Sequence, residues 1–199
     1  MGKKINVTDC LGRINLFFWC VFSIQVSWVD AGTAPVPQTG QTTSHASGDD
    51  GDLKKGIVFP AIRFVDLGDG TITDQLTGLT WMKNANCWGS QNWANALAKV
   101  AGLNTGIESC SGYTTGTHTD WRLPNRKELR SLIDYGRTEP ALPVSHPFLG
   151  VNSYTFWSST TSAVNTDSAW YVNLPYGHLH YGNKSYSSDM RAWPVRGGQ

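Results

Sequence analysis

Asp120-Trp121-Arg122-Leu123-Pro124-Asn125-Arg126-Lys127-Glu128-Leu129 decides how this chain is read. Pro124 fixes the backbone direction just before a helix start. Asn125 is a side-chain cap, and Glu128, three residues on, can return the hydrogen bond, which is the form of a capping box. Leu129, Leu132 and Ile133 then recur at helical spacing, and Gly136 is placed to end the helix. A second helix is expected between Ser90 and Gly102, where Trp93, Leu97, Val100 and Ala101 share one face.

Strand patterns flank these helices. Ile62 and Phe64 alternate with Arg63 and Val65, and Asp69-Gly70 predicts a two-residue hairpin turn with positive φ at both central positions. Ile72 continues on the return strand, Leu76-Thr77-Gly78 turns again, and Leu79 and Trp81 alternate with Thr80 and Met82. Trp170, Val172 and Leu174 share a face opposite Tyr171 and Asn173, and a last strand is read from Met190 to Arg196. Glycine is frequent (21 of 199 residues) and charged residues make up only 16%. This composition suits a loop-rich α+β domain with two helices and a twisted, mainly antiparallel sheet.

Residues 1–31 read as a secretory signal peptide. Lys3, Lys4 and Arg13 precede a mostly apolar run from Ile14 to Trp28, and small Ala31 follows. The run is shorter than the roughly 20 residues that span a bilayer, so cleavage is favoured over anchoring and no transmembrane segment is expected afterwards. Residues 32–56, with Pro35, Pro37, Gly40, Gly48 and Gly51 among Thr, Ser and Gln, read as a flexible linker to a domain over 57–199. Secretion, the periplasm or the cell surface is the implied location.

The chain carries 16 Lys+Arg against 15 Asp+Glu. The signal would take three of the former and two of the latter, which leaves a charge-balanced chain. That balance argues against nucleic acid as a partner. Cys10 and Cys20 would leave with the signal, and Cys87 and Cys110 remain as an even pair in an exported chain. A disulfide between them is expected; they do not form a CxxC redox motif and have no nearby His pair for zinc.

Three further stretches carry a family resemblance: Phe156-Trp157-Ser158-Ser159-Thr160, Ala169-Trp170-Tyr171-Val172-Asn173-Leu174 and Val195-Arg196-Gly197-Gly198. With Asp120 to Pro124, Phe64-Val65-Asp66, Asp69-Gly70-Thr71 and Thr77 to Trp81, they resemble the Lcl C-terminal domain family, the globular end of the Legionella collagen-like adhesin. The resemblance runs from about residue 60 to the end. It implies a fold similar to C-type lectin-like and formylglycine-generating-enzyme-like domains, and a sulfated or acidic polysaccharide as ligand. The chain shows no Gly-X-Y stalk, so homo-oligomerisation stays open. It also has no Glu-Pro-Asn or Gln-Pro-Asp triplet for calcium-dependent sugar binding.

Candidate binding residues follow from chemistry. Arg122, Arg126, Lys127 and Arg130 form the densest basic cluster; guanidinium forks fit sulfate and carboxylate, and a helix N-terminus favours anions. The alternative is that Arg122 holds the fold while Arg126 and Arg130 are solvated or paired with Glu128 or Asp134. Sugar rings stack on aromatic faces. Most of the seven tryptophans beyond residue 31 are expected in the core, with Trp88, on a Gly- and Cys-flanked loop, as the exposed exception. Tyr176 and Tyr181 are similar stacking candidates. Asp66, Asp69 and Asp74 are an alternative calcium set, and His178 and His180 share a strand face without visible further zinc ligands. No Gly-x-Ser-x-Gly elbow surrounds Ser158 to Thr161, and no catalytic residue is assigned. The expected function is non-enzymatic binding or adhesion. The alternatives are a structural module of a surface assembly and, more remotely, an enzyme of the formylglycine-generating type.

Overall fold

The computed structural model describes residues 36–152 and 154–198. The signal-peptide reading, with Cys10 and Cys20, lies outside the described residues. In chain order the elements are α1 (Asp50–Leu53), β1 (Phe64–Asp66), β2 (Thr71–Asp74), β3 (Thr80–Met82), α2 (Trp93–Thr105), α3 (Arg126–Ser131), β4 (Thr155–Thr161), β5 (Ser168–Asn173), β6 (His178–Asn183), β7 (Met190–Arg191) and β8 (Val195–Arg196). The α+β class is as read from the sequence, but there are two four-stranded sheets where one was expected. The first has the order β1-β2-β3-β8 and is antiparallel throughout. The second has the order β6-β5-β4-β7, with β4 and β7 parallel.

The last strand shows why the chain makes two sheets. The stretch from Met190 to Arg196 is not one strand. Met190 and Arg191 pair with Thr155 and Phe156, whereas Val195 and Arg196 pair with Trp81 and Thr80. Between them Trp193 fills the space where the sheets meet. Its ring lies 5.3 Å from Trp81, 4.9 Å from Phe148 and 5.1 Å from Phe156. Its indole N–H donates to Met82 O at 2.8 Å, so the buried polar atom is satisfied.

Several local readings shift. The β1–β2 connection is a four-residue loop, Leu67 to Gly70, with positive φ at Gly68 and Gly70 and not at Asp69. Asp69 instead accepts hydrogen bonds from the Thr71 amide and hydroxyl through Oδ1. Helix α2 begins at Trp93 behind an Asn92 cap and runs past Gly102 to Thr105, ending on Gly106 at φ 75°. Ala96, Val100 and Leu103 form its buried face. Helix α3 starts as expected, with both arms of the Asn125–Glu128 capping box present, but it ends at Ser131, five residues before Gly136.

The described part of the segment read as a linker is mostly without regular structure, but it carries one short helix and a few contacts to the domain. Asp49 caps the short α1, and Pro37 bridges Ile57. The Tyr135 amide donates to Thr39 O at 2.7 Å, which docks the segment beside the end of α3.

Two cross-links fix the frame. Cys87 and Cys110 form the expected disulfide, with Cα atoms 4.9 Å apart. Arg63 and Asp74 form a buried ion pair, Nε to Oδ1 at 2.9 Å and Nη2 to Oδ2 at 3.0 Å, and Arg63 Nη2 also donates to Ser131 O at 2.6 Å. A buried pair of this kind costs desolvation, and the Arg63–Ser131 contact ties the residues beside β1 to the end of α3. Among the described residues no helix is long and apolar enough to cross a membrane.

Candidate functional site

The second sheet separates two surfaces. Residue alternation along β5 and β6 puts Trp170 and Tyr181 on one face and Tyr171, Asn173, His178 and His180 on the other. Helix α3 lies along the first face, and the second borders an open groove of about 610 Å³.

On the α3 face the basic cluster is engaged. Arg122 forms a bidentate pair with Glu128, both contacts at 2.7 Å, and its Nη2 also donates to Gly197 O at 2.9 Å. That pairing holds the Arg122 guanidinium more firmly charged than usual. Arg126 lies 4.5 Å over the Trp170 ring, and Trp170 meets Tyr181 edge-on at 5.3 Å. Arg130 donates to the Tyr135 hydroxyl at 3.2 Å. Lys127 is exposed.

The start of α3 is filled by its own caps. Asn125 Oδ1 accepts from the amides of Lys127 and Glu128, Thr160 Oγ1 accepts from the Arg126 amide, and Glu128 accepts from the Asn125 amide. The anion-binding potential read from this helix start is therefore taken up by side chains of the protein itself. Beside it, Arg196 Nε donates to Asp120 at 2.8 Å and holds that carboxyl below its ordinary range.

The groove is built differently. Gly177 turns the chain at φ 71°, and a Cβ there would lie 2.7 Å from Ile133, so only glycine brings Tyr176 round to the rim. Tyr176 is 53% exposed and stands 5.8 Å from His178. His178 and His180 are 5.8 Å apart, and His180 is 6.1 Å from Tyr171. Gly182 makes room in the wall: a Cβ there would lie 3.0 Å from Tyr171 and 3.3 Å from Tyr186. Ser185, Ser187 and Ser188 add hydroxyls that can rotate to donate or accept. Asn173 spends its Nδ2 on Thr155 Oγ1 at 3.4 Å, and its Oδ1 is buried without a partner among the described residues. Among the described residues no Asp, Glu, Lys or Arg lines the groove.

The structure thus divides the residues singled out from the sequence. Tyr176 borders the groove. Tyr181 belongs to the opposite face, in the stack with Trp170 and Arg126. Trp88 is not an exposed platform: it packs against the core with its indole nitrogen buried, because the Cys87 disulfide draws its loop inward. Trp81, Trp121, Trp157 and Trp193 are buried, and Trp93 and Trp170 are partly so. The calcium set is dispersed in bonding: Asp66 pairs with Lys83 at 2.5 Å, Asp69 with Thr71 and Asp74 with Arg63. Among the described residues no group of three or more His, Cys, Asp or Glu is placed to hold a metal ion. Tyr171, Tyr186, Asn173 and the three serines were not anticipated. One signal was present: between Asp167 and Asp189, Lys184 is the sole Asp, Glu, Lys or Arg, while Tyr, His and Ser are dense.

The groove offers two kinds of surface. Aromatic rings and imidazoles supply faces, and hydroxyls supply hydrogen bonds. Among the described residues no hydrogen bond joins a groove serine to His178 or His180. The described residues form a two-sheet α+β domain with the Cys87–Cys110 disulfide and an open aromatic groove. The family model of the Lcl C-terminal domain matches residues 70–196, and the chain belongs to that family. No curated protein matches the chain significantly.

Proposed function

We propose that this domain is a non-enzymatic binding module of the cell envelope or the extracellular space that grips a glycan, with acidic or sulfated polysaccharide as the favoured class. The observation that carries this reading is the groove: Tyr171, Tyr176 and Tyr186 with His178 and His180 around hydroxyl-bearing side chains. Sugars present apolar faces to rings and hydroxyls to polar rims, and this wall offers both. The disulfide supports an oxidising compartment. The helix-capped Arg-Leu-Pro stretch and the closing arginine-bearing strand support a kinship with C-type lectin-like folds.

The test compares two double variants on a glycan array and on heparin resin. Tyr176→Ala with Tyr186→Ala should weaken glycan binding about tenfold, while Arg126→Ala with Arg130→Ala should leave most of it. The reverse pattern would move the site to the α3 face. A second reading, a structural module within a surface assembly, is favoured by one observation. Val58, Ile62 and Val144, each more than 60% exposed, cluster around a cleft bordered by Phe59 and Pro143. Absence of glycan retention together with a concentration-dependent oligomer would favour that reading.

A further inference from the structure

We infer that the groove selects anionic saccharide by pH, with His178 and His180 as the pair that turns its wall cationic on mild acidification. This rests on the groove being the glycan site. Imidazole is the side chain whose ordinary titration falls between pH 5 and 8. Strand alternation sets the two rings on one face, 5.8 Å apart, with the Tyr176 ring 5.8 Å from His178 and the Tyr171 ring 6.1 Å from His180.

The neighbouring charged residues are not among the described residues that line the groove. Lys184, at the end of the hairpin, lies 4.2 Å over the Trp93 ring and donates to Thr166 O at 2.8 Å. Arg191, on β7, lies 4.1 Å from the Tyr154 ring and donates to Ser90 at 2.7 Å. Glu139 reaches the Tyr176 turn by its backbone, donating to Pro175 O at 2.7 Å. Asp189 meets β4 through its backbone oxygen, which accepts from the Thr155 amide at 3.1 Å. Neither carboxylate is part of the groove wall, and the wall's other titratable groups are the phenols of Tyr171, Tyr176 and Tyr186.

Two imidazolium groups side by side in a wall without a carboxylate lack a counter-charge. A sulfate or carboxylate of the ligand supplies it, through charge-assisted hydrogen bonds supported by the serine hydroxyls. Above the titration the groove is neutral, and stacking treats charged and uncharged sugars alike. Below it, anionic sugars gain and neutral ones do not. Linkage is reciprocal, so bound anion must raise the titration midpoint of both histidines.

Calorimetry on the protein at fixed ionic strength tests this, with a heparin-derived hexasaccharide and neutral maltohexaose as probes at pH 7.5 and 5.5. The hexasaccharide should bind about tenfold more tightly at pH 5.5, as one added charge-assisted hydrogen bond predicts. Maltohexaose should show no such gain. His178→Gln with His180→Gln should hold the hexasaccharide at its pH 7.5 affinity, and Arg126→Ala with Arg130→Ala should keep the shift. Imidazole C–H signals followed by NMR on the unsubstituted protein give a reading that does not depend on variant folding: their midpoints should rise when hexasaccharide is added. PH-independent hexasaccharide binding that still requires Tyr176 and Tyr186 would overturn the gating and leave the glycan reading standing. A shift that survives the double glutamine variant would overturn the gating as well. Binding indifferent to Tyr176 and Tyr186 would overturn both.

Discussion

The two faces of the second sheet use similar residues in opposite ways. On the α3 face, three of the four cationic side chains have partners in the protein, Arg122 with Glu128, Arg126 with Trp170 and Arg130 with Tyr135, while Lys127 stays exposed. On the groove face, three tyrosines and two histidines border open space. The lesson is that residue type sets what a surface could bind, while internal partners decide what remains to bind with. A basic cluster in sequence marks charge, and only the fold shows whether that charge is already balanced.

The largest test of this contrast removes what both faces share. Trp193→Ala empties a fully buried site between Trp81, Phe148 and Phe156 and should cost about 4 kcal/mol. Denaturant unfolding would show it, and both surfaces should be lost in one transition. Separate transitions would mean that the sheets are independent and the contrast between faces is local.

Arg122→Ala comes next. It leaves Glu128 without its bidentate partner and Gly197 O without its donor, so about 2 kcal/mol should be lost. Glycan affinity at temperatures well below unfolding should not change. A variant of unchanged stability but weakened glycan binding would show that Arg122 is a ligand contact after all, and would erase the distinction between the faces.

The groove should respond the other way. Tyr176→Ala with Tyr186→Ala removes two exposed rings, and stability should move by no more than about 0.5 kcal/mol. Glycan affinity should fall by about tenfold, the equivalent of two lost ring contacts. A large stability loss with intact binding would mark these tyrosines as structural.

How far the sequence could be read follows the same division. The α3 capping box was legible because Asn125 and Glu128 are three residues apart and interact locally. The disulfide was legible from the two cysteines that remain beyond the segment read as a signal peptide. What escaped depends on partners distant in sequence. The break between β7 and β8 is set by β4 and β3, strands that lie 35 and more than 100 residues upstream; Pro194, which has no N–H to give a ladder, marks the break but not the partners. Trp88 looked exposed from its Gly and Cys neighbours, yet its cystine pulls it onto the core. The groove draws on Thr155, Tyr171, His178 and Tyr186, which only the folded hairpin brings together. Tyr176 was picked out by chemistry alone. Tyr181, picked out by the same criterion, lies on the other face, because a strand's period of two sends it there.

The smallest effect concerns pH, and it separates two kinds of histidine. His146 stacks on Phe148 at 6.0 Å with Nδ1 buried and unpartnered among the described residues, and burial lowers its pKa from the ordinary 6.5. Its folded state therefore disfavours the proton. Stability is fully present above the unfolded pKa and declines as pH falls through about 6.5 toward the folded value. Asp120 and Asp66 have depressed pKa values, from hydrogen bonds with Arg196 and Lys83 respectively, so their contribution is lost only as pH falls below the ordinary carboxylate value of 3.8. Asp134, raised by burial, works in reverse and relieves a cost as it takes up its proton. Between pH 7.5 and 5.5 a small fall in Tm should thus come from His146, and His146→Gln should flatten it. The same substitution should leave the pH dependence of glycan affinity untouched, since His146 is not part of the groove wall. If His146→Gln abolished that dependence instead, the acid response would belong to the core around Phe148, and the groove would be no more switchable than the α3 face.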